Sequence, residues 1–363
     1  MDLSRLSSVY DVSGPFATAY LDTSRDSENA EHEIELRWRA ARQELEEQGA
    51  PAGALDAMAA AIGEDRGVPG QHGRVLVAAG DDIVLDLVMP SPPRREIARF
   101  APLPHLMPLI AQAGAFVPHV VVVADRVGAE VRVVGPGAQE DDHEVRGNDF
   151  DIHKVKAGGW ANKKYQQSAE NTWEKNAKLV AEDVTRAVRR TGAAVVAVTG
   201  DVRAVTDLRN ELPEEVAGLV QVVEEPSQLD ERVADMVASY ELTNIGQVLD
   251  EYERERGRHE AAANGLAATV AALRQAQVET LLLVDHPDAD GEAWIGPDPT
   301  LLALTDQELR DLGVEEPQQD RMDAALVRAL VGTDAAIAVL SQDTVELDGG
   351  VGAVLRYPNR SEA

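Results

Sequence analysis

Cysteine is absent from all 363 residues. Its absence rules out disulfides, thiolate nucleophiles and zinc sites with Cys ligands. Aromatic residues make up only 4 % of the chain against 44 % apolar residues overall, so Ala, Val and Leu must fill the cores. Nowhere does an apolar run approach the ~18 residues that a membrane-spanning helix needs. The opening Met-Asp-Leu-Ser-Arg-Leu lacks the basic and apolar order of a signal peptide, and the expected location is the cytoplasm. The sequence has no G-x-x-x-x-G-K-[ST], no H-E-x-x-H, no G-x-S-x-G and no G-x-G-x-x-G after a strand. Nucleotide hydrolysis, zinc proteolysis and serine hydrolysis of the usual kind lose their sequence support. No cofactor and no metal is expected. Internal repeats and low-complexity tracts are missing as well.

One further absence carries the most information. Lysine occurs nowhere outside residues 154 to 178, where all six lysines lie; the other 28 basic residues are arginine. The segment Lys154–Lys178 contains two acidic residues, so its own balance is +4 in a chain of net charge −30. A body this acidic repels nucleic acid over most of its surface, and a local basic island is what lets one segment meet phosphate. Solubility alone accounts for the acidity, but not for the clustering of the lysines.

A chain of this length divides naturally into two or three domains. The first part opens with a strand, Phe16 to Leu21, followed by amphipathic helices over Ala30–Gln48 and Gly53–Glu64. Arg74–Ala79 and Ile83–Val88 flank Gly80-Asp81-Asp82 and read as a hairpin. Prolines between residues 90 and 117 mark the first boundary. A second hairpin follows, His119–Ala124 and Glu130–Val134, then an irregular stretch from Gly135 to Gln167. The pattern predicts a helix over Ser168–Arg190, with Trp173, Ala177, Val180, Val184 and Ala187 on one face. Strands at Ala193–Val198 and Leu219–Val223 alternate with a helix over Arg203–Leu212, and a long charged helix spans Leu229–Arg256. The last part has helices over Glu260–Gln275 and Met322–Leu330. Its strands are Thr280–Asp285, Ala335–Leu340 and Val351–Leu355, with a polar loop from Pro287 to Pro299. Alternating helices and strands predict an α/β fold in three domains, residues 1–115, 116–250 and 251–363.

The candidate site is the lysine segment. Gly158-Gly159 allows close backbone approach. Lys154, Lys156, Lys163 and Lys164 flank it as phosphate contacts, and Trp160 and Tyr165 offer faces for base stacking. Lys175 and Lys178 lie one turn apart on the exposed side of the following helix. The competing reading is a solvated loop without a specific ligand. His153 titrates near neutrality but reads as an ordinary loop histidine. Asp141-Asp142-His143-Glu144 has metal-ligand chemistry yet reads as a solvated acidic turn. Around Asp285–Gly291 a calcium-loop alignment fails, because His286 falls at the first ligand position and Pro297 where the bidentate Glu belongs.

Three features together resemble the bacterial members of the archaeo-eukaryotic peptide chain release factor family, and in particular the mycobacterial-type, Balon-like group. These are Ser13-Gly-Pro-Phe-Ala-Thr-Ala-Tyr-Leu-Asp22, the hairpin start His119-Val-Val-Val-Val-Ala-Asp-Arg126, and the loop His153-Lys-Val-Lys-Ala-Gly-Gly-Trp160. The resemblance implies an N-terminal α/β domain, a ribonuclease-H-like middle domain and an L7Ae-like C-terminal α/β sandwich. It implies binding at the ribosomal A site, with rRNA, tRNA and EF-Tu as partners, in ribosome hibernation. On the Gly-Gly-Trp-x-Gln-x-Arg-Tyr-like motif of the related Vms-type peptidyl-tRNA hydrolases, Gly158, Gly159, Trp160, Lys164 and Tyr165 match. Asn162 stands where that motif has Gln. It is one methylene shorter, and a displacement of that size costs about a hundredfold in rate. RNA binding without hydrolysis is therefore expected. The rival is a peptidyl-tRNA ester hydrolase in which Asn162 or Gln166 positions the water, and a third reading is an acidic protein-interaction scaffold.

Overall fold

The structure is a computed structural model describing residues 3–62, 70–89, 91–112, 117–135, 140–146, 160–258, 260–284, 291–341 and 344–358, with 4, 5, 140 and 160–173 described as backbone only. Its contacts divide the mixed α/β chain into two units, residues 1–114 with 245–363, and residues 115–244.

In the first unit, the apolar runs of the amino-terminal part become an antiparallel sheet. Strands β1 (Phe16–Asp22), β2 (Gly73–Ala79), β3 (Asp82–Met89) and β4 (Ile97–Ala101) lie in the order β3-β2-β1-β4. Helices α1 (Ala30–Glu47) and α2 (Ala52–Ile62) cover it, with Ile34, Leu45, Leu55 and Met58 buried against Ala17, Ala19, Leu21 and Leu76. The outer side of α1 carries pairs one turn apart, Arg39 to Glu35 and Arg42 to Glu46, each at 2.9 Å. Strand β4 falls inside the stretch read as a proline-broken boundary. Its pairing with β1 is long-range, which local composition cannot show. A short helix, α3 (Met107–Gln112), follows.

The second unit is built on a five-stranded sheet. Strands β5 (His119–Ala124), β6 (Gly128–Val134) and β7 (Glu140–Arg146) run antiparallel, and β8 (Val195–Gly200) and β9 (Val220–Val222) extend the sheet in parallel from β5. The order is β7-β6-β5-β8-β9. Helices α4 (Trp160–Thr191), α5 (Val202–Glu211) and α6 (Glu214–Ala217) surround it. On α4, Val180, Ala181, Val184 and Ala187 are buried against Val120, Val122, Val131 and Val196. Helix α7 (Leu229–Arg258) begins here, where Val233 and Val237 pack on Val121 and Ala197.

Two elements of this unit correct the sequence expectation. Helix α4 begins at Trp160 rather than near Ser168. The acidic stretch Asp141–Glu144 is not a turn but the middle of edge strand β7, paired residue by residue with β6.

The second half of α7 belongs to the first unit, where Tyr252 is buried with Leu282, Leu340 and Val354. Strands β10 (Ala262–Asn264), β11 (Val278–Val284), β15 (Ala336–Leu340) and β16 (Val351–Leu355) form a sheet in the order β10-β16-β11-β15. Helix α8 (Leu266–Arg274) starts later than predicted because β10 takes the first residues. Between β11 and β15 come the small sheet β13-β12-β14 (Leu302–Ala303, Glu292–Ile295, Gln318–Arg321), α9 (Asp306–Asp311) and α10 (Met322–Gly332). The predicted loop 287–299 thus contains β12.

A polar clasp holds the amino- and carboxy-terminal parts of this unit together. Asp320, whose carboxylate is 0 % exposed, pairs with Arg99 and accepts from the backbone N–H of Leu103 at 2.7 Å and of Arg321 at 2.6 Å. His105 Nε2 lies 3.3 Å from Asp323 Oδ2, and Arg321 Nη2 donates to that carboxylate at 2.9 Å. Tyr20 donates its hydroxyl hydrogen to the His105 carbonyl at 2.8 Å and accepts from Leu109 N–H at 3.2 Å. Burial pushes the Tyr20 hydroxyl pKa well above its ordinary value.

Candidate nucleic-acid interface

Helix α4 positions the candidate site. Its 32 residues extend about 48 Å at the usual rise per residue. The carboxy-terminal half is anchored on the sheet by the buried valines. Gly192, at φ +67, closes the helix, with its N–H and that of Ala193 both donating to the Val188 carbonyl at 2.8 and 3.3 Å. Glycine adopts that left-handed conformation without the penalty other residues meet.

Charged groups on β7 fix the helix laterally. His143 Nε2 lies 2.7 Å from Asp183 Oδ2, and Arg190 Nη2 donates to Asp141 Oδ2 at 3.0 Å. Glu144 pairs with Arg146, and Asp142 lies 3.6 Å from Arg132 Nε. These acidic side chains, along with His143, are therefore occupied in clamping α4 and lacing the sheet edge. Among the described residues, no group of three or more His, Asp or Glu side chains is placed to hold a metal. The calcium-like stretch 285–290 lies outside the described residues.

Of the predicted site, Lys175 and Lys178 have described side chains. Both are exposed on α4, and neither forms an ion pair among the described residues. Between them, Asn176 is buried and donates from Nδ2 to the Arg126 carbonyl at 3.1 Å. Trp160, Asn162, Lys163, Lys164, Tyr165 and Gln166 fall in the first two turns of α4 rather than in a loop. Asn162 and Gln166 are four residues apart, and so share a helix face. His153, Lys154, Lys156, Gly158 and Gly159 lie outside the described residues.

The other place where an α/β sheet commonly binds ligands is the crevice beyond the carboxyl ends of its parallel strands. Between β5 and β8 that crevice is filled, whereas beyond β8 and β9 a space of about 770 Å³ stays open beside Gly200, Val222 and Glu224. Gly200, at φ +126, brings β8 so close to β5 that an added Cβ would lie 2.0 Å from the Ala124 carbonyl oxygen. Asp201 caps α5, accepting at Oδ1 from Arg203 and Ala204 N–H at 3.0 and 3.2 Å, and pairs at Oδ2 with Arg126 at 3.1 Å. The hydrogen bond from Arg126 holds the Asp201 carboxyl below its ordinary pKa, helped by the α5 backbone. The space left beside Asp125, Arg126 and Asn176 is about 10 Å³, room for one water at most.

The sequence places Arg189 and Arg190 in the last turn of this helix, where they complement its dipole, but the reading did not join them and Arg186 to the lysines as one basic face. The signal was present, since 175, 178, 186 and 189 recur at helical spacing. It also missed the Arg99–Asp320 clasp, whose partners are 221 residues apart. No helix of the described residues is long and apolar enough to cross a membrane.

Residues 118–258 match the bacterial archaeo-eukaryotic release factor family 2. The chain is 32 % identical over 369 residues to the uncharacterized protein Rv2629 of Mycobacterium tuberculosis strain H37Rv, covering 98 % of this chain and 97 % of that protein. The M. tuberculosis CDC 1551 protein MT2704 is similar to the same degree. Among solved structures, Saccharomyces cerevisiae Dom34, a translation termination-like factor, is 10 % identical with a TM-score of 0.40, over 99 % of this chain and 94 % of that one. Archaeoglobus fulgidus Pelota is 13 % identical with a TM-score of 0.31, over 99 % and 93 %.

Proposed function

Because the chain belongs to the bacterial archaeo-eukaryotic release factor family 2, we propose that it is a ribosome-binding factor. On this reading it occupies the A site, acts in hibernation and does not hydrolyse peptidyl-tRNA. The observation that carries the reading is the confinement of all six lysines to the segment that leads into and along α4, in a chain of net charge −30. Lys154, Lys156, Lys163, Lys164, Lys175 and Lys178 contact phosphate, Gly158 and Gly159 allow close approach, and Trp160 and Tyr165 stack on bases. The acidic remainder keeps other surfaces away from RNA, so the segment sets the register. Three functional domains, with residues 116–250 reaching the peptidyl-transferase region, complete the proposal. The carboxy-terminal part is left to meet EF-Tu, and tRNA is a further partner.

The absence of hydrolysis rests on Asn162, whose amide is one methylene shorter than the Gln of the hydrolytic motif. A second reading is supported by Asn162 and Gln166 sharing one face of α4. In that reading one of the two amides positions a water against the peptidyl-tRNA ester. Sedimentation with purified ribosomes tests the binding step. Charge reversal of Lys154, Lys156, Lys163 and Lys164 to Glu is expected to abolish co-sedimentation, and equal co-sedimentation of both forms sinks the proposal. Peptide release from ribosome-bound peptidyl-tRNA, lost in Asn162→Ala, would establish the hydrolase instead.

A further inference from the structure

The lysine segment does not end the basic surface. Beyond Lys175 and Lys178, the exposed face of α4 continues through Arg186, Arg189 and Arg190. At 100° per residue these five cations fall within a stripe about a third of the helix circumference wide, in register with position 164. The stripe borders a groove of about 700 Å³ between α4 and the end of α5, whose walls include Lys178, Glu182, Thr185, Arg186, Arg189 and Glu211. From Lys175 to Arg190 it runs roughly 22 Å, the axial length of about six phosphates of one duplex strand.

We infer that this groove is a second RNA contact that takes a phosphodiester backbone and continues the path begun by the lysine segment. The inference rests on the ribosome-binding reading above and deepens it by adding a site. Three observations favour RNA over an acidic protein. Among the described residues, Ala181 and Pro213 are the only apolar ones lining the groove, whereas the centre of a protein interface needs large buried anchors. The guanidinium groups of Arg186 and Arg189 suit bidentate binding of phosphate. Their present partners, Asp183 at 3.1 Å and Glu215 at 2.5 Å, form ion pairs with the arginine side chains 72 % and 65 % exposed. Such surface pairs exchange at little cost for a stronger anion. Thr185 also keeps a buried hydroxyl with no hydrogen-bond partner among the described residues, and threonine has two accessible rotamers in a helix by which it can turn toward the groove.

The test uses the full chain and a fluorescein-labelled 20-nucleotide single-stranded RNA, titrated at several salt concentrations. The variants are Lys178→Gln with Arg186→Gln, Glu182→Gln, and a quartet with Lys154, Lys156, Lys163 and Lys164 each changed to Gln. Loss of two phosphate contacts is expected to lower affinity roughly 25-fold at 0.1 M salt and to flatten the salt slope by about 1.4. Glu182→Gln removes the one carboxylate in the stripe and is expected to strengthen binding several-fold, an effect that damage to the fold cannot mimic. If the groove variant binds as the wild type does while the quartet fails, the groove inference falls and the lysine-segment reading stands. If the quartet binds as the wild type does and the groove variant fails, the reverse holds. Binding to poly-glutamate that is as tight as binding to the RNA, and equally reduced in the groove variant, would assign the groove to an acidic protein and overturn the inference.

Discussion

Two regions of this protein handle positive charge in opposite ways. In the clasp of the first unit, Arg99 meets the fully buried carboxylate of Asp320, and Arg321 and His105 meet Asp323. On α4, Lys175 and Lys178 stand exposed with no ion-pair partner among the described residues. A cation whose neighbours already satisfy it holds the fold together, because burying it unpaired would be costly. A cation left facing solvent contributes almost nothing to stability and is free for a ligand. The clasp uses arginine, whose planar fork suits a buried carboxylate, whereas the exposed cations without an ion-pair partner at 175 and 178 are lysine.

That contrast predicts a graded set of effects. Asp320→Ala strands Arg99 and two backbone N–H groups, and is expected to cost about 3–5 kcal/mol in urea unfolding; a loss below about 1 kcal/mol would show that the clasp is dispensable.

Next comes acid. Burial raises the Asp323 carboxyl, but hydrogen bonds from His105 and Arg321 outweigh it, and its pKa falls from 3.8 to about 2. A folded-state value below the unfolded one means that stability is present above about pH 4 and is lost as the pH falls from there towards 2. The contribution is roughly 2 kcal/mol. Asp323→Asn should flatten the stability profile in that window, and an unchanged profile would assign the acid sensitivity elsewhere.

A smaller effect is expected for Tyr20→Phe. It leaves the Leu109 N–H and the His105 carbonyl without their partner, at about 1–2 kcal/mol measured by thermal melting. The double variant Lys175→Gln, Lys178→Gln should change stability by no more than about 0.5 kcal/mol while weakening ribosome binding. A large loss of stability there would erase the distinction between the two regions.

The sequence made some of this legible and hid the rest for physical reasons. Hairpins β2–β3 and β5–β6 were readable because apolar runs flank Gly/Asp turns, and the inner face of α4 was readable from Ala177 to Ala187 at helical spacing. The first turns of α4 were not. Ala161-Asn162-Lys163-Lys164-Tyr165-Gln166-Gln167 has no apolar period, so the helix looked like loop. Strand β7 was hidden because Glu140–His143 are all polar, and an edge strand gains its partners from β6 rather than from a buried face. The clasp could not be seen at all, since Arg99 and Asp320 meet only after folding. For the site itself, the lysine count pointed to the segment. Of the six lysines only Lys175 and Lys178 have described side chains, and Arg189 and Arg190 read as complements of the helix dipole rather than as a continuation of the lysine face, because arginine is common elsewhere in the chain.

Chemical footprinting of ribosomal RNA on purified ribosomes addresses the proposed role of the lysine segment most directly. With the wild-type chain, protection is expected at nucleotides of the A site and the peptidyl-transferase region. Changing Lys154, Lys156, Lys163 and Lys164 to Glu should remove that protection. Protection that persists unchanged in the variant, or that appears only at other sites of the ribosome, would contradict the account.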